Sequence, residues 1–204
     1  AEYFASLMTS MMDSSSKIAL YTEDCRKNGI KILPPSVNTS GAGFTPDGGN
    51  IRFGLNAVKN LGAGVIDRLI KEREENGEYT SAYDFCLRNY SREFNRKALE
   101  GLIKSGAMDC LCANRRKLLY NMEGMLTAAE GEKRYSSDGQ LNLFDEMGDA
   151  VGYTMTEAEE MPEELKLAFE KEACGLYLSG NPLDKYKPYL NKIGVASAAQ
   201  INLK

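Results

Sequence analysis

Apolar residues recur at helical spacing along most of the chain, and strand-like alternation is confined to a few short runs. The clearest helical stripe is Val65, Ile66, Leu69 and Ile70, with Asp67, Arg68, Lys71, Glu72 and Arg73 turned toward water. Earlier, Ile18, Leu20, Tyr21 and Cys25 make one side of a helix that Asn28-Gly29 ends. Tyr83, Phe85 and Leu87 belong to a short helix opened by Thr80 or Ser81. A further helix carries Leu99, Leu102 and Ile103. A longer one begins at Asn114, carries Leu118, Leu119, Met122, Met125 and Leu126, and runs out over residues 130–135. Pro162, with Glu163 and Glu164 in the first turn, opens a last helix over residues 165–178. Strand signals fall at residues 30–33, stopped by Pro34-Pro35, and at Phe44-Thr45 set against Ile51-Arg52-Phe53. The latter two face each other across Pro46-Asp47-Gly48-Gly49 as a small hairpin. The pattern predicts a mainly α fold with a small β-hairpin element.

One junction of pattern and turn carries more than structure. Leu55, Val58, Leu61 and Gly62 fit the series apolar-x-x-apolar-x-Gly-apolar-Gly, with Asn60 where the first glycine would stand, and an amphipathic helix follows Gly64. This is helix-hairpin-helix spacing. Asn is the least costly replacement where φ must be positive. A glycine-bearing turn that leads into a helix exposes backbone N–H groups and lets another backbone approach, so a phosphate can sit there without any base being read. The alternative is an ordinary helix cap and turn inside a helical domain.

The stretch FNRKALEGLIKSGAMDCL repeats the theme. Aligning Val58-Lys59 with Ile103-Lys104 places a second, degenerate hairpin at Ser105-Gly106-Ala107, which either grips a second strand or only packs. The fold class is therefore a tandem helix-hairpin-helix domain with the small β-hairpin and a partly flexible acidic linker. Candidate phosphate contacts are Lys59, Asn60, Gly62, Gly64, Arg68, Arg96, Lys97, Lys104 and Gly106, with Arg115, Arg116 and Lys117 as further cations; each cation is equally a solvated surface charge.

Charge supports that placing. The chain carries a net −4, which argues against a histone-like binder, but the average hides a segregation. Residues 51–120 hold thirteen basic and nine acidic side chains, whereas residues 121–204 hold eight and fifteen. Only the centre offers a polyanion a favourable field, and its excess is modest, so binding by it is weak and salt-sensitive. With 43% hydrophobic residues a buried core is expected, and no apolar run approaches membrane-spanning length. Five scattered cysteines and no histidine exclude histidine catalysis, disfavour zinc and read as reduced thiols. The carboxylates sit in solvated helix ends or in linker, which cannot hold metals for phosphoryl transfer. No catalytic, metal or cofactor site is expected in the chain. It begins without methionine inside a helical pattern, which reads as a piece of a longer protein.

Ser136-Ser137-Asp138-Gly139 reads as linker, and acidic, loosely ordered sequence continues from Gly148 to Met161. Within this tract stand Gln140, Leu141, Asn142, Leu143 and Phe144. Three large apolar side chains in a linker either pin it to its own domain or dock in a partner's pocket, with Leu143 and Phe144 as anchors and Gln140 fixing register.

Five signatures then suggest a family. KIALYTEDCRKNGIKILPPSVN, FTPDGGNIRFGLNAVKNLGAGVI, FNRKALEGLIKSGAMDCL, GQLNLFDEM and EKEACGLYLSGNPLDKY occur in this order. Together they resemble a section of the C-family replicative DNA polymerases of bacteria, the polymerase III alpha subunits. The resemblance implies the end of the fingers region over 1–50 and a tandem helix-hairpin-helix domain holding duplex over 51–125. A linker with a sliding-clamp peptide then spans 126–161. A helical connection toward an oligonucleotide-binding domain covers 162–190, and the following element starts over 191–204. It also implies that Gln140, Leu141, Leu143 and Phe144 bind the sliding clamp, the beta subunit. Other implied partners are duplex DNA and the rest of the polymerase, with no membrane, in the cytoplasmic, nucleoid-associated replisome. Nucleotidyltransferase activity and its Mg2+ belong to the palm of the parent polymerase, which has no counterpart here. The alternatives are a helix-hairpin-helix section of a repair nuclease or ligase, and a purely structural helical module. Asn60 and the degenerate second hairpin depart from the family pattern.

Overall fold

The computed structural model describes residues 1–137, 153–186 and 189. Two buried clusters lie beneath its elements. In the first, α1 (Glu2–Ser10) and α2 (Ser15–Lys27) bury Ala5, Met8, Ile18 and Cys25 against Phe44, Ile51 and Phe53 of a small sheet. Its strands are β1 (Ile32–Leu33), β2 (Thr45–Asp47) and β3 (Asn50–Arg52), in the order β1-β3-β2. β2 and β3 form the antiparallel hairpin that the alternation predicts, with Pro46 opposite Ile51, and β1 adds to β3 in parallel. Pro46 falls on an edge strand, where the missing N–H costs no ladder bond.

The second cluster lies under α3 (Ala63–Asn76), α4 (Ala82–Asn89), α5 (Arg96–Lys104) and α6 (Arg115–Ser137). Ile66, Leu69, Phe85, Leu99, Leu102, Ile103 and Met125 are fully or almost fully buried there. Phe85 meets Tyr79 and Phe94 edge-on, with ring centroids 4.8 and 5.6 Å apart. Helix starts are set by short polar side chains. Ser81 Oγ accepts from the Asp84 N–H at 3.0 Å, Asn95 Oδ1 from Ala98 at 3.1 Å and Asn114 Oδ1 from Lys117 at 2.9 Å; each such cap contributes about 1 kcal/mol.

α7 (Glu163–Cys174) bridges the clusters, with Ala173 and Cys174 in the first and direct packing on α5 of the second. It stops at Cys174 and not at 178, because Gly175 turns to φ 75° and its N–H closes on the Lys171 carbonyl at 3.0 Å. α6 in turn runs on to Ser137, past the expected run-out. Residues 153–161 have no regular structure but are fixed along α6. Asn121 brackets Thr156, its Oδ1 accepting from the Thr156 N–H and its amide donating to the Thr156 carbonyl, both at 2.8 Å. Asn114 holds the Ala158 carbonyl at 2.7 Å. The acidity that reads as loose linker in sequence finds cations here: Glu157 pairs with Lys117 at 2.6 Å, and Glu160 with Lys166 at 2.6 Å. Glu160 also accepts the Arg115 and Arg116 N–H groups at the open start of α6.

Candidate nucleic-acid interface

A single 3-10 turn (Leu55–Ala57) leads into the first glycine turn. Asn60 takes φ 66° and is the one non-glycine residue with positive φ among the described residues. The departure from the sequence pattern thus keeps the conformation that the missing glycine would supply. Gly62 forms the N-cap of α3 in extended conformation, and no side chain caps that helix. Gly62 and Gly64 are both exposed, and a Cβ on either would meet nothing within 4 Å. Neither glycine is needed for packing among the described residues. Val65 and Ile66 already donate to the Gly62 carbonyl at 3.0 and 3.2 Å, so the bareness of the turn leaves the Ala63 and Gly64 N–H groups open to an approaching anion.

The turn is held from behind. The Lys59 N–H donates to the Ala173 carbonyl at 2.9 Å. Gly101 on α5 passes close to it, where a Cβ would stand 2.9 Å from the Lys59 carbonyl oxygen. Lys59 and Lys97 are exposed beside the turn, and neither has an ion pair among the described residues. Asn60 and Lys97 line one cleft together.

The other predicted contacts stand differently. Arg68 donates to Ser91 Oγ and lies 3.8 Å from Glu93. Arg96 pairs with Glu123 on α6. Lys104 bonds Glu172 at 2.8 Å and Glu100 at 2.9 Å. Burial works against its charge, but those two carboxylates outweigh it and hold its pKa above the ordinary lysine value.

Gly106 and its neighbours are buried. With φ 82°, Gly106 donates to Ile103 at 3.1 Å while Ala107 donates to Leu102 at 3.0 Å, so the second turn is a left-handed helix cap that spends its N–H groups on its own helix. A Cβ at Gly106 would overlap the Arg115 guanidinium. Arg115 is 2% exposed, reaching Asp109 Oδ2 at 2.7 Å and the fully buried Glu170 at 3.1 Å. Gly106 therefore offers an anion no free donor, and Arg115 is committed to the interior. Of the two glycine turns, the first faces solvent and the second is a packing element.

Sequence reading placed the helix that is α7 but not its packing here, which brings the Ala173 carbonyl to Lys59, 114 residues earlier, and Glu172 to Lys104, 68 residues earlier. No local periodicity carries such a contact. Gln140, Leu141, Leu143 and Phe144 lie outside the described residues. Among the described residues no group of three or more His, Cys, Asp or Glu could hold a metal ion, and no helix is long and apolar enough to cross a membrane.

The geometry defines a helix-hairpin-helix unit, and residues 29–118 match the helix-hairpin-helix motif family. Over nine-tenths of its length the chain is similar to DNA polymerase III alpha subunits. It is 40% identical to that of Saccharopolyspora erythraea over 192 residues, covering 90% of this chain and 16% of the relative. The corresponding figures are 40% over 190 residues (90% and 16%) for Mycobacterium tuberculosis and 37% over 198 residues (97% and 18%) for Bacillus subtilis. The chain belongs to the DNA polymerase III alpha subunit family, as its five signatures suggested, and spans about a sixth of the length of these relatives.

Proposed function

We propose that the chain is a non-catalytic section of a bacterial replicative DNA polymerase that holds duplex DNA by its phosphate backbone. The observation that carries this is the uncapped start of α3, where Gly62 and Gly64 stand bare toward solvent just after the exposed Lys59 and Asn60, the latter sharing a cleft with the exposed Lys97. Helix N–H groups and two mobile ammonium groups neutralise phosphate while reading no base, which suits a protein that must move along any sequence. Nucleotidyl transfer and the Mg2+ it requires belong to other parts of the parent polymerase.

The second half of the proposal concerns the peptide Gln140 to Phe144, which docks the sliding clamp with Leu143 and Phe144 as anchors. Each tether can be weak, since attachment through one raises the local concentration for the other. Replacing Leu143 and Phe144 by alanine then removes clamp binding and leaves duplex binding unchanged.

The duplex contact is tested with Gly64→Glu in the full chain. The position has open space before it, so the fold tolerates the side chain, while the carboxylate repels phosphate. Fluorescence anisotropy with a short labelled duplex should show binding by wild type that weakens with salt at a log–log slope of about −2, one unit per lysine. The variant should melt as wild type does and lose that binding. Equal affinity for the variant would refute the interface.

A further inference from the structure

Glu172 lies on the last turn of α7, outside the span matched to the helix-hairpin-helix motif. Yet its carboxylate reaches across to the candidate interface and takes Lys104 at 2.8 Å. We propose that the cleft between the first glycine turn, α5 and α7 is a backbone-phosphate subsite, and that Glu172 occupies its anion position until duplex DNA displaces it. The proposal deepens the duplex-holding function above and rests on it.

The cleft measures about 310 Å³ and opens between Asn60, Lys97, Gly101, Lys104 and the two carboxylates Glu100 and Glu172. Asn60, two residues before the bare N-cap Gly62 of α3, forms part of its wall with Lys97. Lys104 is fixed in place: its side chain is 16% exposed, it lies over the Phe169 ring at 4.9 Å and it bonds Glu100 one turn back on the same helix. An ammonium has three donors, and one of these is engaged by Glu172.

The two carboxylates are not equivalent. The Glu100 side chain is 35% exposed and belongs to the same helix face as Lys104, whereas that of Glu172 is 61% exposed and comes from another element. An exposed pair of this kind is worth about 0–1 kcal/mol, so Glu172 can swing into water at small cost while Glu100 and Phe169 keep Lys104 aimed at the cleft. Charge makes the exchange necessary. With two lysines and two carboxylates the cleft is neutral, and a phosphate entering it is attracted only once Glu172 has moved out.

The experiment compares wild type, Glu172→Gln, Glu74→Gln and both substitutions at Lys104 (Lys104→Gln alone and combined with Glu172→Gln) in the whole 204-residue chain, using anisotropy with a labelled duplex. Glu74 is an exposed carboxylate ten residues beyond Gly64 on α3, about 15 Å along the helix and past one screening length, so it reports the effect of net charge alone. Glu172→Gln should tighten binding about two- to fivefold, the value of releasing an exposed ion pair. Glu74→Gln should not, and Lys104→Gln should cancel the gain from Glu172→Gln. Wild-type binding with no gain in Glu172→Gln, an equal gain in Glu74→Gln, or a gain that persists without Lys104 would each overturn the subsite and leave the duplex-holding function standing. No binding by wild type and Glu172→Gln alike would overturn both.

Discussion

Removing the Glu170 carboxylate should destabilise the chain far more than removing its neighbour Glu172, although both pair with cations of the same unit. Glu170 is fully buried. One oxygen accepts from Arg115 Nη2 at 3.1 Å, and the other accepts the N–H groups of Leu178 and Ser179, each at 2.9 Å. Burial pushes the Arg115 guanidinium down, but Asp109 and Glu170 outweigh it and hold its pKa above the ordinary arginine value. In Glu170→Ala, Arg115 keeps Asp109 but loses half its compensation, and two backbone donors are orphaned. Breaking a buried pair costs about 3–5 kcal/mol, and each orphaned donor about 1–3 kcal/mol. Because Asp109 remains and water can enter the hollow, the lower part of this range, about 3–4 kcal/mol, is expected. For a chain of this size that lowers Tm by about 10 °C. Glu172→Ala, which removes an exposed partner, should cost less than about 1 kcal/mol. Urea and thermal unfolding followed by circular dichroism measure both, and hydrogen exchange at Leu178 and Ser179 localises the change. A loss in Glu170→Ala no larger than in Glu172→Ala would refute the reasoning.

Three other perturbations follow from the same geometry. Gly106→Ala must adopt left-handed backbone, about 1–2 kcal/mol by itself, and also displace the Arg115 guanidinium, so a measured loss below about 1 kcal/mol would show that the second turn relaxes freely. Burial pushes the Cys86 and Cys174 thiols up to about 12, so alkylation of the native protein should label exposed Cys110 first and spare those two. Since their native pKa lies above the ordinary value of 9.0, the stability they contribute is present below pH 9 and lost as pH rises toward 12, which denaturation midpoints across that window will register. Burial works against the Glu160 carboxylate, but Lys166 and the Met161 and Arg116 N–H groups outweigh it and hold its pKa below 4.5. Its contribution is therefore present above pH 4.5 and lost in more acid solution, and Glu160→Gln should flatten that loss in an acid titration of stability.

Most helices were legible because their apolar stripes and caps are local: Val65, Ile66 and Leu69 face inward as spaced, and Ser81, Asn95 and Asn114 cap where short polar residues precede an apolar run. The β2–β3 hairpin was legible for the same reason. Asn60 was readable as a positive-φ position from its register with Val58 and Gly62. What sequence did not disclose are relations between distant elements. Arg115 looks like a surface cation beside Arg116 and Lys117, and only α7 folding back with Glu170 makes it a buried one. The acidic run of residues 153–161 reads as linker because charge and absent periodicity are the sole local signals. Its order comes from Asn121 and Asn114, more than thirty residues earlier.

The unequal fates of the two glycine turns follow from how small units gain stability. A hairpin of two short helices buries too little apolar surface alone, so the copies pack through Leu99, Leu102, Ile103 and Leu69 into one cluster. Packing them together and laying α7 across the seam consumes one turn: Gly106 caps inward and Arg115 fills the space above it. The other is left with its donors outward, propped from behind by Gly101 and Ala173. A unit with one open turn engages few phosphates. The salt slope of about −2 expected of it is half that expected from two turns gripping both strands. A grip of the proposed kind would release easily, which would favour movement along duplex, and would need a second attachment to hold in place. On this reasoning the weakness of the interface is the physical reason a clamp-docking peptide, as proposed for Gln140 to Phe144, would be useful in the same chain.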